Sequence, residues 1–352
     1  MTSDEHWELT FASQTVSAKF IDPNGALVKH PVEIRTNPLT GRTCRIAFSR
    51  AKEKEAGTDA LPPLPPNAED TSNCPFCRPQ VETQTPQLDP DLSDKPRLAC
   101  QDSLLFPNLF PYGPFSAVSL FDNDHFVEIG KASPSAYSDS FLNCCRYLAR
   151  VIDHDPQAVY MAITQNHLPS AGGSLIHPHL QINADRVAAN HHRFLLERAD
   201  EYYRNRGEYL FSSYLSHEKT DGSRYIGTTG SWEWTAAFAP EGFFEIWGIL
   251  PRVTSVQQPE VSDWKDLVQG IINIQRFYRS LNRNGYNLGL LSVESPASRL
   301  ELRLVIMVRS NYAPWVRSDH TGYELMLGDM TTFVAPEQTA EWIRPFFGDL
   351  KP

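Results

Sequence analysis

The apolar positions change period several times along the chain, and each change predicts an element. Over 134–153, Phe141, Cys144, Cys145, Leu148, Val151 and Ile152 recur at helical spacing, and Pro134 fits the first turn after Ser133. A second helical stripe runs over 262–283 through Trp264, Leu267, Val268, Ile271, Tyr278 and Leu281. There Ser262 is placed to cap the start and Gly285 lies just past the end. Elsewhere the period drops to two or the apolar run is continuous. "AVYMAIT" (158–164) and "HLQIN" (179–183) read as strands, and "WEWTAAFA" and "FFEIWGIL" as a strand pair joined by Pro240-Glu241-Gly242. "RLELRLVIMV" alternates, with Leu300, Leu302, Leu304, Ile306 and Val308 on one face. Residues 115–129 predict two short strands about an Asp-Asn-Asp turn, 186–206 a polar helix or helix pair, and a last short helix starts near Pro336. Trp232, Trp234 and Trp247 alternate with polar residues on their strands and belong to the core.

A similar plan of strand pair, long amphipathic helix and strand therefore occurs twice, which predicts a duplicated α+β unit without a close sequence repeat. Residues 51–73 are charged, then proline-rich, then small and polar, and read as an exposed loop.

Composition narrows the function classes. A chain of 352 residues suits two domains or one duplicated architecture. With 41% hydrophobic and 21% charged residues it can bury a sizeable core. The formal net charge of -10 speaks against sequence-independent nucleic-acid binding, which needs many phosphate-neutralising cations, but leaves room for a local nucleotide pocket. No apolar run of about 18 residues predicts a membrane span, and the N-terminus lacks the basic and apolar regions of a secretory signal. The six cysteines make no disulfide framework in a chain this long, and Cys144 and Cys145 are adjacent. A reducing cytoplasm is expected.

The chemistry concentrates in "GGSLIHPHLQI" (172–182). Side chains at i, i+2 and i+4 of an extended strand share a face, so His177, His179 and Gln181 form a set. Pro178 places this piece at a strand start or edge. Gly172, Gly173 and Ser174 can turn tightly and aim backbone N–H groups at an anion. An imidazole beside such a turn, largely neutral at pH 7, is placed to attack phosphorus. Upstream, Cys74 and Cys77 form a C-x2-C knuckle, half of a tetrahedral zinc site. With no second knuckle, the other ligands must be histidines or carboxylates, His125, His167, His177, His191 and His192 being candidates. His191 and His192, at the start of a polar helix, are expected to be solvated.

Taken together, these segments resemble the galactose-1-phosphate uridylyltransferase branch of the histidine-triad superfamily. The resemblance rests on four ordered motifs along most of the chain. They are "IRTNPLTGR" with Arg35 and Asn37, Cys-Pro-Phe-Cys at 74–77, Asn166 followed by the glycine turn and His-Pro-His-x-Gln, and "GYELMLGDMTTFVAPEQTAEWIR" near the end. It implies two histidine-triad-type repeats, each an antiparallel sheet with helices packed on one side. The N-terminal half, 1–195, would be catalytic and 196–352 would form the second half. It implies His179 as the nucleophile that forms a covalent nucleotidyl-histidine, with Gln181 on the phosphoryl oxygens. Arg35, Asn108, Asn166, Gly172, Gly173 and Ser174 would hold nucleotide and phosphates, and Tyr323 and Glu324 a phosphorylated acceptor. The substrates implied are a nucleotide or nucleotide sugar and that acceptor, with no nucleic acid and no membrane as partner, and the family's homodimer completes the site.

His177 would join Cys74 and Cys77 on one structural zinc ion. The family's fourth ligand position carries Ala136 here, and His125 is the replacement expected from the neighbouring strand. The C-terminal strand "RLELRLVIM" lacks the histidines of the family's second metal site, so no second metal is expected. The family's acceptor-binding lysine and glutamine correspond to Ser318 and about Thr331, which argues against galactose 1-phosphate itself. The leading expectation is a nucleotidyltransferase acting on a sugar phosphate or related acceptor. The alternatives are a phosphorylase, acting on a dinucleoside polyphosphate, nucleotide sugar or adenylylsulfate, and a non-catalytic zinc-stabilised nucleotide-binding protein.

Overall fold

The computed structural model describes residues 8–47, 64–312 and 318–348. In chain order, a hairpin of β1 (Ala12–Ile21) and β2 (Leu27–Thr36) is followed by β3 (Thr43–Ile46) and the short α1 (Gln80–Gln84). The first half continues with β4 (Leu98–Cys100), β5 (Ser103–Pro107), β6 (Phe115–Leu120), α2 (Pro134–His154), β7 (Tyr160–His167) and β8 (His179–Asp185). Two helices follow, α3 (Asn190–Arg206) and α4 (Leu210–Asp221). The second half is β9 (Tyr225–Thr229), β10 (Trp232–Ala236), β11 (Phe243–Leu250), α5 (Val261–Ser280), β12 (Gly285–Val293) and β13 (Leu302–Arg309). The chain closes with α6 (Gly322–Leu327), β14 (Met330–Thr332) and α7 (Pro336–Ile343).

Ten strands form one antiparallel sheet in the order β4-β5-β6-β8-β7-β12-β13-β11-β10-β9. Read outward from the centre, each half repeats the other: β7, β8, β6, β5, β4 against β12, β13, β11, β10, β9. The duplication expected from the pattern is therefore a topological one. The two halves meet where β7 pairs with β12, His167 opposite Tyr286 and Tyr160 opposite Val293. A smaller sheet, β1-β2-β3-β14, stands apart from it. The expected division at 195/196 falls inside α3.

Helices α2 and α5 pack on each other and on one face of the large sheet, their stripes joined by Phe141 stacked on Trp264 at 5.6 Å. The alternation of β13 is burial alternation, with Leu302, Leu304, Ile306 and Val308 buried on this helix-covered face. Trp232, Trp234 and Trp247 are buried, as expected. Helices α3 and α4 lie over the opposite face, mainly on the second half, where they cover Trp247 and Ile249. The opposite face of β7 and β8 is where the chemistry sits.

Three local expectations change, and a fourth lies partly outside the described residues. No strand follows β6 within 121–129; that segment is loop, and it carries His125. Helix α5 is capped by Glu260 in a reciprocal box with Asp263, not by Ser262, because the helix starts at Val261. His192 is not solvated. It takes the first place in the buried stripe His192, Leu195, Ala199, Tyr202 of α3 and bonds through Nε2 to the Met161 carbonyl at 2.8 Å. The loop expected over 51–73 lies outside the described residues up to 63; its described part, 64–73, forms largely exposed turns.

Candidate active site and metal cluster

The cysteine knuckle, the 121–129 loop and the start of β8 converge. Cys74 Sγ lies 3.9 Å from His177 Nδ1, and Cys77 Sγ lies 3.5 Å from His177 Nδ1 and 3.2 Å from His125 Nδ1. The ligand atoms of all four residues fall within 4.8 Å of one another, and this buried cluster could hold a metal ion. On a tetrahedral ion with bonds of about 2.0–2.3 Å, ligand atoms stand roughly 3.3–3.8 Å apart, so the side chains need little rearrangement. The far nitrogens agree. His125 Nε2 donates to the Asn67 carbonyl at 3.0 Å and His177 Nε2 to the Asp122 carbonyl at 3.4 Å, which turns both Nδ1 lone pairs toward the sulfurs. Ala136 instead packs in the first turn of α2, in the core.

His179 opens β8, opposite Leu120 of β6. Its Nδ1–H donates to the His177 carbonyl at 2.7 Å, which leaves the lone pair on Nε2. Burial pulls the imidazole below its ordinary pKa, so the ring is neutral at pH 7. Phe76, inside the knuckle, meets the His177 and His179 rings edge to face at 6.0 and 5.3 Å. The metal cluster and the candidate nucleophile thus share one aromatic wedge, a residue that sequence reasoning passed over.

Gln181, two positions on, is oriented by a chain of hydrogen bonds that begins in the second half. Arg309 on β13 is gripped by Asp319 through two hydrogen bonds of 2.7 and 2.9 Å, and its Nη1 donates to Asn287 Oδ1 at 2.6 Å. Asn287 on β12 donates to Asn166 Oδ1 at 2.6 Å and to the Ala171 carbonyl at 2.9 Å. Asn166 on β7 donates to Gln181 Oε1 at 3.1 Å. Carboxamide nitrogen and oxygen are assigned from their partners, and this chain has one consistent assignment. A guanidinium can only donate, so Asn287 must turn its oxygen to Arg309, and each following amide is set in turn. The last of them, Gln181, is left with its Nε2–H2 pointing away from the relay. That group has no acceptor among the described residues.

The glycine turn works differently from the expectation. Gly172 closes a short 3-10 turn over Pro169–Ala171 at φ +88°. Its N–H donates to the Pro169 carbonyl and that of Gly173 to the Leu168 carbonyl, so neither is aimed at an anion. Gly173 is required by close approach: a Cβ there would stand 2.7 Å from the Asn166 carbonyl oxygen and 3.1 Å from that of Leu168. Leu168 itself holds φ +72°, a strained value for a leucine. Ser174 is exposed and has no hydrogen-bond partner among the described residues.

The other expected contacts lie apart from this group. Asn108 caps the tip of the β5–β6 hairpin, bonding to Ser116, which pairs with Asn183 at the far end of β8. Arg35 is buried and fully engaged with Glu33, Glu337 and the Phe238 carbonyl. Tyr323 and Glu324 sit on the exposed α6, with Glu324 held by Thr321 and Thr331.

No family model matches the chain. An uncharacterised protein of Archaeoglobus fulgidus is 28% identical over 343 residues, covering 97% of this chain and 100% of that protein. The ADP-glucose phosphorylase of Arabidopsis thaliana is 24% identical over 341 residues, 89% of this chain and 92% of its own length. Among solved structures, an Arabidopsis thaliana ADP-glucose phosphorylase with bound ADP-glucose superposes with a TM-score of 0.67 at 20% identity, covering 89% of this chain and 98% of that one. A uridylyltransferase gives 0.63 at 19%, again over 89% and 98%. The resemblance drawn from the motifs holds at the level of the fold: the chain shares the overall fold of these phosphorylase and uridylyltransferase structures.

Proposed function

We propose that the protein is a nucleotidyltransferase that carries a nucleoside monophosphate as a covalent adduct on His179. The observation that carries this reading is the pairing of a neutral imidazole, its Nε2 lone pair left available, with the outward amide of Gln181. In the first step Nε2 attacks the α-phosphorus of a nucleotide sugar. A P–N bond forms as the P–O bond to the sugar phosphate breaks, and the sugar phosphate leaves with the bonding electron pair. In the second step a phosphate oxygen of the acceptor attacks the same phosphorus, and the P–N electrons return to His179. Gln181 Nε2–H2 and Ser174 Oγ–H are donors for the non-bridging oxygens, whose charge grows at each transition state.

The acceptor is a sugar phosphate or a related phosphorylated molecule. A second reading, in which inorganic phosphate accepts and the enzyme is a phosphorylase, is favoured by the likeness to an ADP-glucose phosphorylase along most of the chain. Galactose 1-phosphate is disfavoured by Ser318 and Thr331, and Thr331 Oγ1 is engaged with Glu324. We assign the Cys74, Cys77, His125 and His177 cluster to a structural Zn2+, which ties the knuckle and the 121–129 loop to the start of β8. A homodimer would bring Tyr323, Glu324 and Asn108 of one chain to His179 of the other. Exposed apolar side chains support it: Phe20 and Ile21 on the β1 arm, Phe110 and Tyr112 on the hairpin tip, and Leu325 to Leu327 on α6. Six unpaired cysteines suit a reducing cytoplasm. Among the described residues no helix is long and apolar enough to cross a membrane.

The test is to incubate the protein with nucleotide sugars labelled at the α-phosphate and to isolate the denatured chain. Label is expected on wild type and absent from His179→Ala. Label of equal yield on the variant overturns the assignment. Chasing the labelled protein with phosphate or with sugar phosphates separates the two acceptor readings.

A further inference from the structure

The two halves share one strand order, so β13 stands in the second half where β8 stands in the first. On the face that carries His179 and Gln181 in β8, β13 presents Arg303, Val305, Met307 and Arg309. Helices α3 and α4 lie over this part of the sheet and, with residues from Asn37 to His320, line an open cavity of ≈ 430 Å³. That is the size of a small-molecule site, and much of the lining is apolar, from Leu195, Leu291, Leu300 and Met307.

The charged groups in its wall differ in one respect. Glu301 is satisfied by the backbone N–H groups of Phe211, Ser212 and Arg252. Glu241 is paired with Arg42 at 2.9 Å, and Glu245 accepts from Trp247 Nε1 and the Glu241 N–H. Arg309 is paired with Asp319. Arg303 alone of these has no hydrogen-bond acceptor among the described residues. Its guanidinium is held between two rings, 4.3 Å from the Trp247 centroid and 4.8 Å from that of Phe211. A guanidinium packed on ring faces keeps its in-plane N–H groups for other partners, and Arg303 lines the cavity, so its fork is a candidate to bind a carboxylate or phosphate bidentately. Arg303 thus keeps its guanidinium free in a partly apolar cavity: the charges of Glu245 and Glu241 act on it, but neither carboxylate forms an ion pair or hydrogen bond with it.

We propose that this cavity is a second ligand site, distinct from the nucleotide site at His179, for a small amphipathic anion whose carboxylate or phosphate is held by Arg303 and whose body lies on the apolar lining. The site reaches the relay. Asn287 and Arg309 line the cavity and also orient Asn166 and Gln181, so occupancy touches the residues that set the phosphate seat.

The test is calorimetric titration of the full chain with 4-phenylbutyrate and phenyl phosphate, and with 4-phenylbutanol as the uncharged control. One saturable site per chain is expected for at least one of the two anions, with the alcohol at least about tenfold weaker, as expected for loss of a charge-assisted pair. Arg303→Met keeps the stacked stem and removes the fork; it should erase the difference between anion and alcohol. Gly289→Val guards against misfolding of that variant. A Cβ at Gly289 meets only Thr164 Cγ2, at 3.9 Å, so the backbone accepts a side chain there, and the valine methyls, entering the cavity, should abolish binding of all three. His179→Ala should bind the probes as wild type does, even if nucleotidyl labelling fails altogether. The proposal is overturned if neither anion saturates, if the alcohol binds equally well, if Arg303→Met retains the anion preference, or if His179→Ala loses the probes.

Discussion

Asn287 is the place to test whether the relay sets catalysis or only fills space. Replacing it with alanine deletes the donors to Asn166 Oδ1 and the Ala171 carbonyl and the acceptor for Arg309. Asn287 is half-buried, so water enters and the loss of stability is small, about 1–2 kcal/mol. The larger effect is on Asn166, which then no longer has one preferred orientation, and so on Gln181. A loss of about 1.4–2.8 kcal/mol in holding the amide toward the phosphoryl oxygens slows the first step about 10- to 100-fold. Asn287→Asp sharpens the test. The carboxylate still accepts from Arg309 but cannot donate to Asn166 Oδ1. Asn166 must then turn its nitrogen toward β12 and its oxygen toward Gln181, so Gln181 turns its own nitrogen inward and presents an oxygen to the phosphate. The near-isosteric variant should therefore be slower than the alanine one. Rapid-quench measurement of His179 labelling, with thermal unfolding alongside, gives both numbers. If Asn287→Asp labels faster than Asn287→Ala, or both match wild type, the directed relay is wrong.

Three other outcomes follow from the same geometry. His177→Ala, or prolonged chelation of wild type, should lower bound metal from about one ion per chain to none and reduce the unfolding temperature, because the knuckle and the 121–129 loop lose their common anchor; elemental analysis showing one retained equivalent in the variant would contradict the cluster. Gly173→Ala should slow labelling without loss of metal, since its Cβ has to displace the Asn166 carbonyl, and a labelling rate equal to wild type would show that the turn is not coupled to the seat. Glu245 is pushed up to about 7 by burial, with the Glu241 charge adding to it, so the folded state holds a proton that the unfolded chain releases near 4.5. Its contribution is full below about pH 4.5 and is lost as pH rises through about 7, a change of about 3 kcal/mol. Glu245→Gln should be the more stable protein above pH 7 and have a flatter stability profile from pH 5 to 7.5, and parallel profiles in urea titrations would refute the assignment.

The parts of this site that could be read in the sequence are those made within one short stretch. His177 and His179 straddle Pro178, Cys74 and Cys77 close one turn, and strand alternation puts His179 and Gln181 on one face while His177 lies just ahead of the strand. The repeated order of strands and long helices was legible for the same reason, since period and length are local properties. Other features depend on what the turn does with its own carbonyls. The glycine N–H groups were expected to face an anion, but Leu168 at positive φ brings its carbonyl round to take the N–H of Gly173. Arg35 lies in a recognisable motif, yet Glu337, some three hundred residues later, occupies its fork. The relay was the least legible of all. Asn287, Arg309 and Asp319 have no unusual spacing, and they matter only because β7 and β12 pair across the seam between halves. The polar outward position of Asn287 in an otherwise apolar strand was the one local sign. That dependence gives the duplication a chemical role in the proposed reaction. The first half supplies the nucleophile and the terminal amide, and the second half supplies the fixed charge that decides which way the amide points. A first half expressed alone would keep every residue of the His-Pro-His-x-Gln motif and lose the direction of Gln181.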